Sequence, residues 1–395
     1  MSERLEKQVW ALDKCCGCGN CIALCSKGVL FWGADGLPTL EKREKTLGLS
    51  HITLDTCSFC QKFCEEGCPR LEDEWSVLEP RRLVSVKTKG IVKSGEPNDV
   101  IKHLLVAALS SGFIDGVILA DMDAWNLKPV VRVATTVGEI VDTLGMQYIW
   151  APTLSALNEA VYEKRLQNLA VVGTPCVSQG VRKLLSSDNE RLSPYRQAIR
   201  LSISTFCTGV YLPELIDEFL TDEMGIAQHS IKRLQALPRE NLLKVLLWDG
   251  STKTIPLNQV EKYTRSGCAR CDDYLGESAD IAVGSVGAKD GYCTLIARSL
   301  AGEICLRNAL NFGLLEVSEE VNLDALNRAR DEKERRKRAQ AFDKMMVMML
   351  DALGEPKERA DVKRAFVRLY ESEKPAELSE LRTEDASCHA TCGQC

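Results

Sequence analysis

Short apolar runs alternate with amphipathic stretches between about residues 80 and 320. Gly116-Val-Ile-Leu-Ala120, Leu169-Ala-Val-Val-Gly173, Leu201-Ser-Ile-Ser-Thr-Phe206 and Asp280-Ile-Ala-Val-Gly284 have the length and side chains of strands. Helical periods fall between them at 99–112, 153–164 and 177–187. This alternation predicts an α/β domain with a largely parallel sheet. Residues 231–236, 242–248 and 252–256 read instead as antiparallel strands, the last two joined through the hairpin pair Asp249-Gly250. Beyond residue 322 the pattern becomes a charged helix over 324–353, broken at Gly354-Glu-Pro356, with a second helix near 357–372. Met345, Met346, Met348 and Met349 give the first of these an adaptable apolar face, for its own α/β domain or for a partner subunit.

The first seventy residues follow neither period. They hold few large apolar side chains, but nine of the 18 cysteines lie between Cys15 and Cys68. Metal binding is therefore expected to supply much of their folding energy. The net charge of -6 lacks the basic footprint of a nucleic-acid binder. No apolar run approaches the length of a membrane span, and the amino terminus has no apolar signal core, so a reducing cytoplasm is expected. Cysteines in that compartment are ligands before they are disulfides. The expected organisation is α+β and α/β. A ferredoxin-like iron–sulfur domain at 1–78 precedes an α/β domain at 79–321 and a helical extension at 322–395.

Cys15, Cys18, Cys21 and Cys25 stand in the register C-x2-C-x2-C-x3-C, and Cys57, Cys60, Cys64 and Cys68 follow, with Pro69 directly after. Three thiolates so closely spaced on a Gly-rich loop can wrap one iron–sulfur cube while the fourth serves another. One [4Fe-4S] cluster would then take Cys15, Cys18, Cys21 and Cys68, and the second Cys57, Cys60, Cys64 and Cys25. Structural zinc is the competing reading, since C-x2-C pairs also build zinc sites. Cys16 is left over, as a small buried residue.

A third set is scattered. Cys176 follows the strand 169–173, Cys207 follows the strand 201–206, and Cys268 and Cys271 form a C-x2-C pair ahead of the last strand. In a parallel sheet the two single cysteines lie at the carboxyl edge, where doubly wound folds bind ligands, and are expected to be neighbours. Four thiolates suffice for a third cube, although single cysteines in such places are also ordinary buried thiols. Gly284-Ser285-Val286-Gly287 after a strand is either a phosphate-admitting turn or a plain one.

These residues carry a resemblance. Gly173-Thr174-Pro175-Cys176, Phe206-Cys207, Cys268-Ala-Arg-Cys271 and Ala279-Asp-Ile-Ala-Val-Gly284-Ser285-Val-Gly287 resemble the coenzyme F420 hydrogenase/dehydrogenase beta-subunit family over about residues 10–317. The resemblance implies FAD in the α/β domain, a nearby [4Fe-4S] cluster on Cys176, Cys207, Cys268 and Cys271, and hydride exchange with coenzyme F420. In some branches ferredoxin is the carrier instead. It also implies cofactor contacts at Gly145, Gln147, Tyr148, Thr174, Gly284, Ser285 and Gly287. Asn98-Asp99 stands where the family has a Gly-Gly pair, and Gly145-Met-Gln147-Tyr148 where it has Gly-Thr-Lys-Tyr.

Little else in the chain suggests chemistry. There is no G-x-G-x-x-G and no P-loop, and His51, His103 and His229 stand singly. The tail Cys388-His389-Ala-Thr-Cys392-Gly-Gln-Cys395 is a zinc site, a shared cluster ligand or a free tail. The expected function is a cytoplasmic flavin and iron–sulfur subunit that exchanges hydride with coenzyme F420. It would pass single electrons to a partner redox subunit of a hydrogenase or formate dehydrogenase complex. The alternatives are a ferredoxin-dependent reductase of an organic substrate, a flavin-free relay and a zinc-built scaffold.

Overall fold

The computed structural model describes residues 2–33, 36–39, 60, 62–72, 75–90, 96–123, 127–143, 145, 148–237 and 240–353. Thirteen strands occur among them: β1 (Phe31–Trp32), β2 (Pro38–Thr39), β3 (Arg82–Thr88), β4 (Gly116–Met122), β5 (Pro129–Ala134), β6 (Leu169–Gly173), β7 (Ile199–Thr205), β8 (Ile231–Leu237), β9 (Leu242–Leu247), β10 (Thr252–Pro256), β11 (Ile281–Gly284), β12 (Cys293–Ala297) and β13 (Leu315–Ser318). Eight form one sheet in the order β13-β3-β12-β11-β7-β6-β4-β5.

Only the centre of this sheet is parallel, through β11–β7, β7–β6 and β6–β4, while β5, β12, β3 and β13 pair antiparallel. The sheet is therefore mixed rather than largely parallel. Length explains the difference. A parallel return needs a dozen or more residues, and the links 123–128 and 285–292 are too short to provide it.

The parallel strands are buried on both faces, and their alternation sorts side chains to two cores. Val117 and Leu119 of β4, with Ala170 and Val172 of β6, join a core built with the helices Pro97–Ser110 and Leu300–Asn311. Ile118, Leu169 and Val171 face the opposite core, where the helix Pro175–Leu185 supplies Val177, Val181 and Leu184. Proline in the first turn starts the helices Pro97–Ser110 and Pro175–Leu185. The stretch 153–164 is two short helical segments, Thr153–Ala156 and Glu159–Glu163, rather than one helix.

The cysteine-rich front packs on that second face. Cys16, Cys18, Ala23 and Leu24 share its core with Leu154, Leu157 and Val177. Asn20 Nδ2 donates to Gly67 O at 2.8 Å and to Gly180 O at 3.1 Å, tying both cysteine runs to the helix Pro175–Leu185. Leu154 N donates to Cys18 O at 2.7 Å, and Trp150 Nε1 to Gly17 O at 2.9 Å. A small local core of Leu5, Val9, Trp10 and Leu30 completes the front.

The strands β10-β9-β8 form the expected antiparallel sheet, turned at Gly250 (φ +84°), and pack against the helical segment Leu215–Glu223. The charged helix runs over Leu323–Leu353. Backbone contacts divide the chain into two units, Met1–Glu334 and Arg335–Cys395, so residue 78 falls inside the first. The second helix near 357–372, the tail cysteines Cys388, Cys392 and Cys395, and the Met345 cluster's side chains lie outside the described residues. Among the described residues no helix is long and apolar enough to cross a membrane.

Candidate functional site

Two cavities open in the front segment. The first is lined by Cys15, Cys16, Cys18, Cys21 and Cys68 together with Trp10, Trp32 and Arg70. The second is lined by Cys25, Cys60 and Cys64 with Lys27, Lys62 and Phe63. The fourth cysteine of each run thus crosses to the other run's cavity. Cys57 lies outside the described residues. Glycine makes the first loop possible: a Cβ at Gly17 (φ +70°) would meet Trp150 Nε1 at 2.2 Å and the Arg265 guanidinium at 2.6 Å. Burial pushes the Cys21 thiol well up, with Cys15, Cys68 and Cys64 adding to it. Cys64 and Cys68 are both pushed up to about 12, chiefly by burial.

Among the described residues no three His, Cys, Asp or Glu side chains close around a single ion position. Tetrahedral zinc, with bonds near 2.3 Å, would hold its sulfurs about 3.8 Å apart. The surroundings call for negative charge. The buried Arg265 donates to Cys15 O at 3.3 Å, to Cys15 Sγ at 3.5 Å and to Gly36 O at 2.8 Å, and its guanidinium lies 4.2 Å from the Trp150 ring. A buried cation with no carboxylate among these partners fits a cluster of thiolates.

A second gathering stands at the carboxyl edge of the parallel strands. Cys176 opens the helix after β6, with its sulfur 3.0 Å from Thr174 Oγ1. Cys207 follows β7, its amide donating to Tyr274 O at 3.0 Å. Cys268 sits on the turn Ser266–Arg270 and accepts from Val210 N at 3.5 Å. Cys271 is in electrostatic reach of Cys176, Cys207 and Cys268 alike. Burial pushes Cys207 up to about 12.

Cys16 stands between the two gatherings. It is buried, and hydrogen bonds from the Cys176 and Cys18 thiols hold its own thiol well below the ordinary value in spite of burial. Beside it lies Arg70. Burial opposes the charge of this guanidinium, but Cys271, Cys16 and Cys176 outweigh that opposition and hold it firmly charged. Arg70 Nε and Nη2 find no oxygen acceptor. Lys333 Nζ donates to Cys207 O and to Asp273 O, both at 2.7 Å.

The remaining expected positions divide. Gly145 (φ +74°) presses on Asn98 at the start of the helix Pro97–Ser110, and its amide donates to Asp121 Oδ1 at 3.2 Å. Tyr148 (φ +64°) is pushed up by burial and then by Glu96, and it also lies within electrostatic reach of Cys207. That loop therefore joins the helix start to the α/β cysteines. Gln147 lies outside the described residues. At Gly284 a Cβ would meet the Phe206 ring at 2.0 Å, and at Gly287 it would meet Leu326 at 2.9 Å. This chain's own side chains take the room those two glycines leave, and Ser285 between them is exposed.

Residues 84–158 match the coenzyme F420 hydrogenase/dehydrogenase beta subunit N-terminal model, and residues 166–322 match the model of its C terminus. The beta subunit of the coenzyme F420 hydrogenase of Methanosarcina barkeri is 32% identical over 62% of this chain and 84% of its own length. The chain belongs to the coenzyme F420 hydrogenase/dehydrogenase beta-subunit family. This is a family of oxidoreductase subunits. An uncharacterized protein of Methanocaldococcus jannaschii is 32% identical over 85% of this chain and 97% of its own length. A chain of the F420-reducing [NiFe] hydrogenase complex from Methanosarcina barkeri superposes with a TM-score of 0.63 at 27% identity, covering 69% of this chain and 94% of that one. In this beta-subunit-family member the cysteines Cys15–Cys68 and Lys333 lie outside the matched segments.

Sequence reading did not find the three buried cations that stand beside the cysteines, Arg70, Arg265 and Lys333. Arg70 and Arg265 had a signal in their spacing, two residues after Cys68 and three before Cys268. Lys333 had none, because Arg330-Asp-Glu-Lys-Glu-Arg-Arg336 looks like a solvated face.

Proposed function

We propose that the chain is a flavin and iron–sulfur electron-transfer subunit that exchanges hydride with coenzyme F420 and delivers single electrons to a partner redox subunit. The observation that carries this is the sequence of three cysteine gatherings joined by Cys16, which touches a cysteine of the first cavity and one of the α/β edge. Cys15, Cys18, Cys21 and Cys68 would hold one [4Fe-4S] cluster, and Cys25, Cys57, Cys60 and Cys64 a second. Cys176, Cys207, Cys268 and Cys271 would hold a third. Arg265 and Arg70 supply the positive charge that keeps such anionic groups in a buried site. Cys16 and the first-turn packing of Cys176 hold the gatherings at fixed separation. Gly145, Tyr148 and the start of the helix Pro97–Ser110 would hold FAD beside Cys207, and Thr174 would orient Cys176. FAD, when bound, converts a hydride's electron pair into single electrons.

The test is composition followed by reduction. Anaerobically purified protein is expected to carry about twelve iron and twelve sulfide atoms, the content of three cubes. Cys176→Ser is expected to lose about four of each. Reduced coenzyme F420 is expected to bleach an extractable FAD. About eight irons would remove the third cluster, and zinc would remove the whole reading.

A flavin-free relay is the second reading, favoured by one observation. Asn98, Phe206 and Leu326 fill the space at Gly145, Gly284 and Gly287. Protein that holds its iron but yields no flavin would establish it. Flavin bleached by reduced ferredoxin, and not by the coenzyme, would point to a ferredoxin-fed reductase.

A further inference from the structure

Lys333 sits on the helix Leu323–Leu353, beyond the segments matched by the family models, yet it is only 6% exposed. Its Nζ donates to the carbonyls of Cys207 and Asp273 at 2.7 Å each. One carbonyl belongs to a cysteine of the α/β gathering, and the other lies two residues beyond Cys271. Both partners are neutral. Asp273 supplies the nearby acid, and its carboxylate is already engaged by Gln179 Nε2 at 2.9 Å and by Glu277 N at 3.1 Å. Seven residues earlier the same helix is anchored by the buried Leu326, packed over Gly287. A fixed cation is thus set among Cys207, Cys268 and Cys271 from a part of the chain that bears no cysteine of its own there.

We infer that Lys333 is a positioning and charge-setting residue for the α/β-edge cluster, clamping the Cys207 and Cys271 loops and raising that cluster's reduction potential. This rests on the cluster reading above. Reduction adds one electron, drawn from the reductant, and leaves the cluster more negative by one charge. A buried cation beside that cluster's cysteines would favour the reduced state over the oxidised one.

The experiment is an anaerobic redox titration of the iron-loaded full chain, followed by electron paramagnetic resonance, on Lys333→Gln and Lys333→Arg. Glutamine keeps a donor and removes the charge, whereas arginine keeps the charge. The signal of the α/β cluster is identified as the one that Cys176→Ser loses. Lys333→Gln is expected to lower its midpoint by about tenfold in the reduction equilibrium, about 59 mV for one electron. Lys333→Arg is expected to stay near the wild-type midpoint. If Lys333→Gln loses the cluster and Lys333→Arg holds it at the wild-type midpoint, charge is again the requirement. A Gln variant with the cluster at wild-type potential overturns the inference. So does an Arg variant shifted as far as Gln, or loss of the cluster from both. Wild-type protein without that signal overturns the cluster reading itself, and the inference with it.

Discussion

Gly267 lies so close to the front segment that a Cβ there would sit 2.2 Å from the Cys15 carbonyl oxygen and 3.1 Å from Cys16 N. These are backbone atoms and cannot swing aside. Gly267→Ala is therefore expected to destabilise the fold by about 1–3 kcal/mol, the usual cost of overpacking. It should also lower iron content, because it pushes the Cys268 turn off the Cys15 loop. Thermal unfolding and iron analysis of the purified variant check both, and an alanine variant as stable and iron-rich as the wild type would refute the close approach. At this scale the grouping of the front cysteines along two cavity walls was legible because their spacing is local. Lys333 was not, since a buried cation is defined by what folds around it and its sequence neighbours are those of a solvated face; Arg70 and Arg265 left only their spacing from Cys68 and Cys268 as a trace.

The central strands show how far periodicity reaches. Largely apolar runs such as β4 and β6 announced themselves, and the helix before β4 and the helix after β6 fell within two residues of the expected bounds at Pro97–Ser110 and Pro175–Leu185. The antiparallel edges did not, because β3, β5 and β13 mix polar and apolar positions and a strand's direction is set by connection length rather than by its own residues. One helix also carries a pH signature. In Leu300–Asn311, burial and then the Asp280 carboxylate push the Cys305 thiol up to about 12 from an ordinary value of 9.0. Between those limits the unfolded chain releases this proton and the folded chain keeps it. The stabilisation is complete below about pH 9 and is lost as pH rises toward 12, at up to about 1.4 kcal/mol per pH unit. Unfolding midpoints measured at about pH 8 and about pH 10 should fall more steeply for the wild type than for Cys305→Ala. Equal slopes would mean that the thiol is not shielded.

For the whole molecule, the expected cluster sets are complete without the carboxyl-terminal cysteines. Truncation after Asp385 is therefore expected to leave iron per chain unchanged, as read by metal analysis; a loss of iron would make Cys388, Cys392 or Cys395 a ligand and break the proposed assignment. Composition correctly set the cysteine-rich front apart as poor in core residues. It did not disclose that the front would borrow its core from the α/β sheet, since Leu24 and Cys18 meet Leu154 and Val177 only after more than a hundred intervening residues have folded.

The amide of Asn20, bonded at once to Gly67 and Gly180, has a kinetic meaning beyond the stability it adds. Carriers on a tether deliver electrons by swinging, and thickening the solvent slows them. A front segment pinned at both cysteine runs has no such stroke, so its internal transfer would proceed at one rate in water and in concentrated glycerol. Only the arrival of reductant and the departure to a partner would feel the drag of the medium.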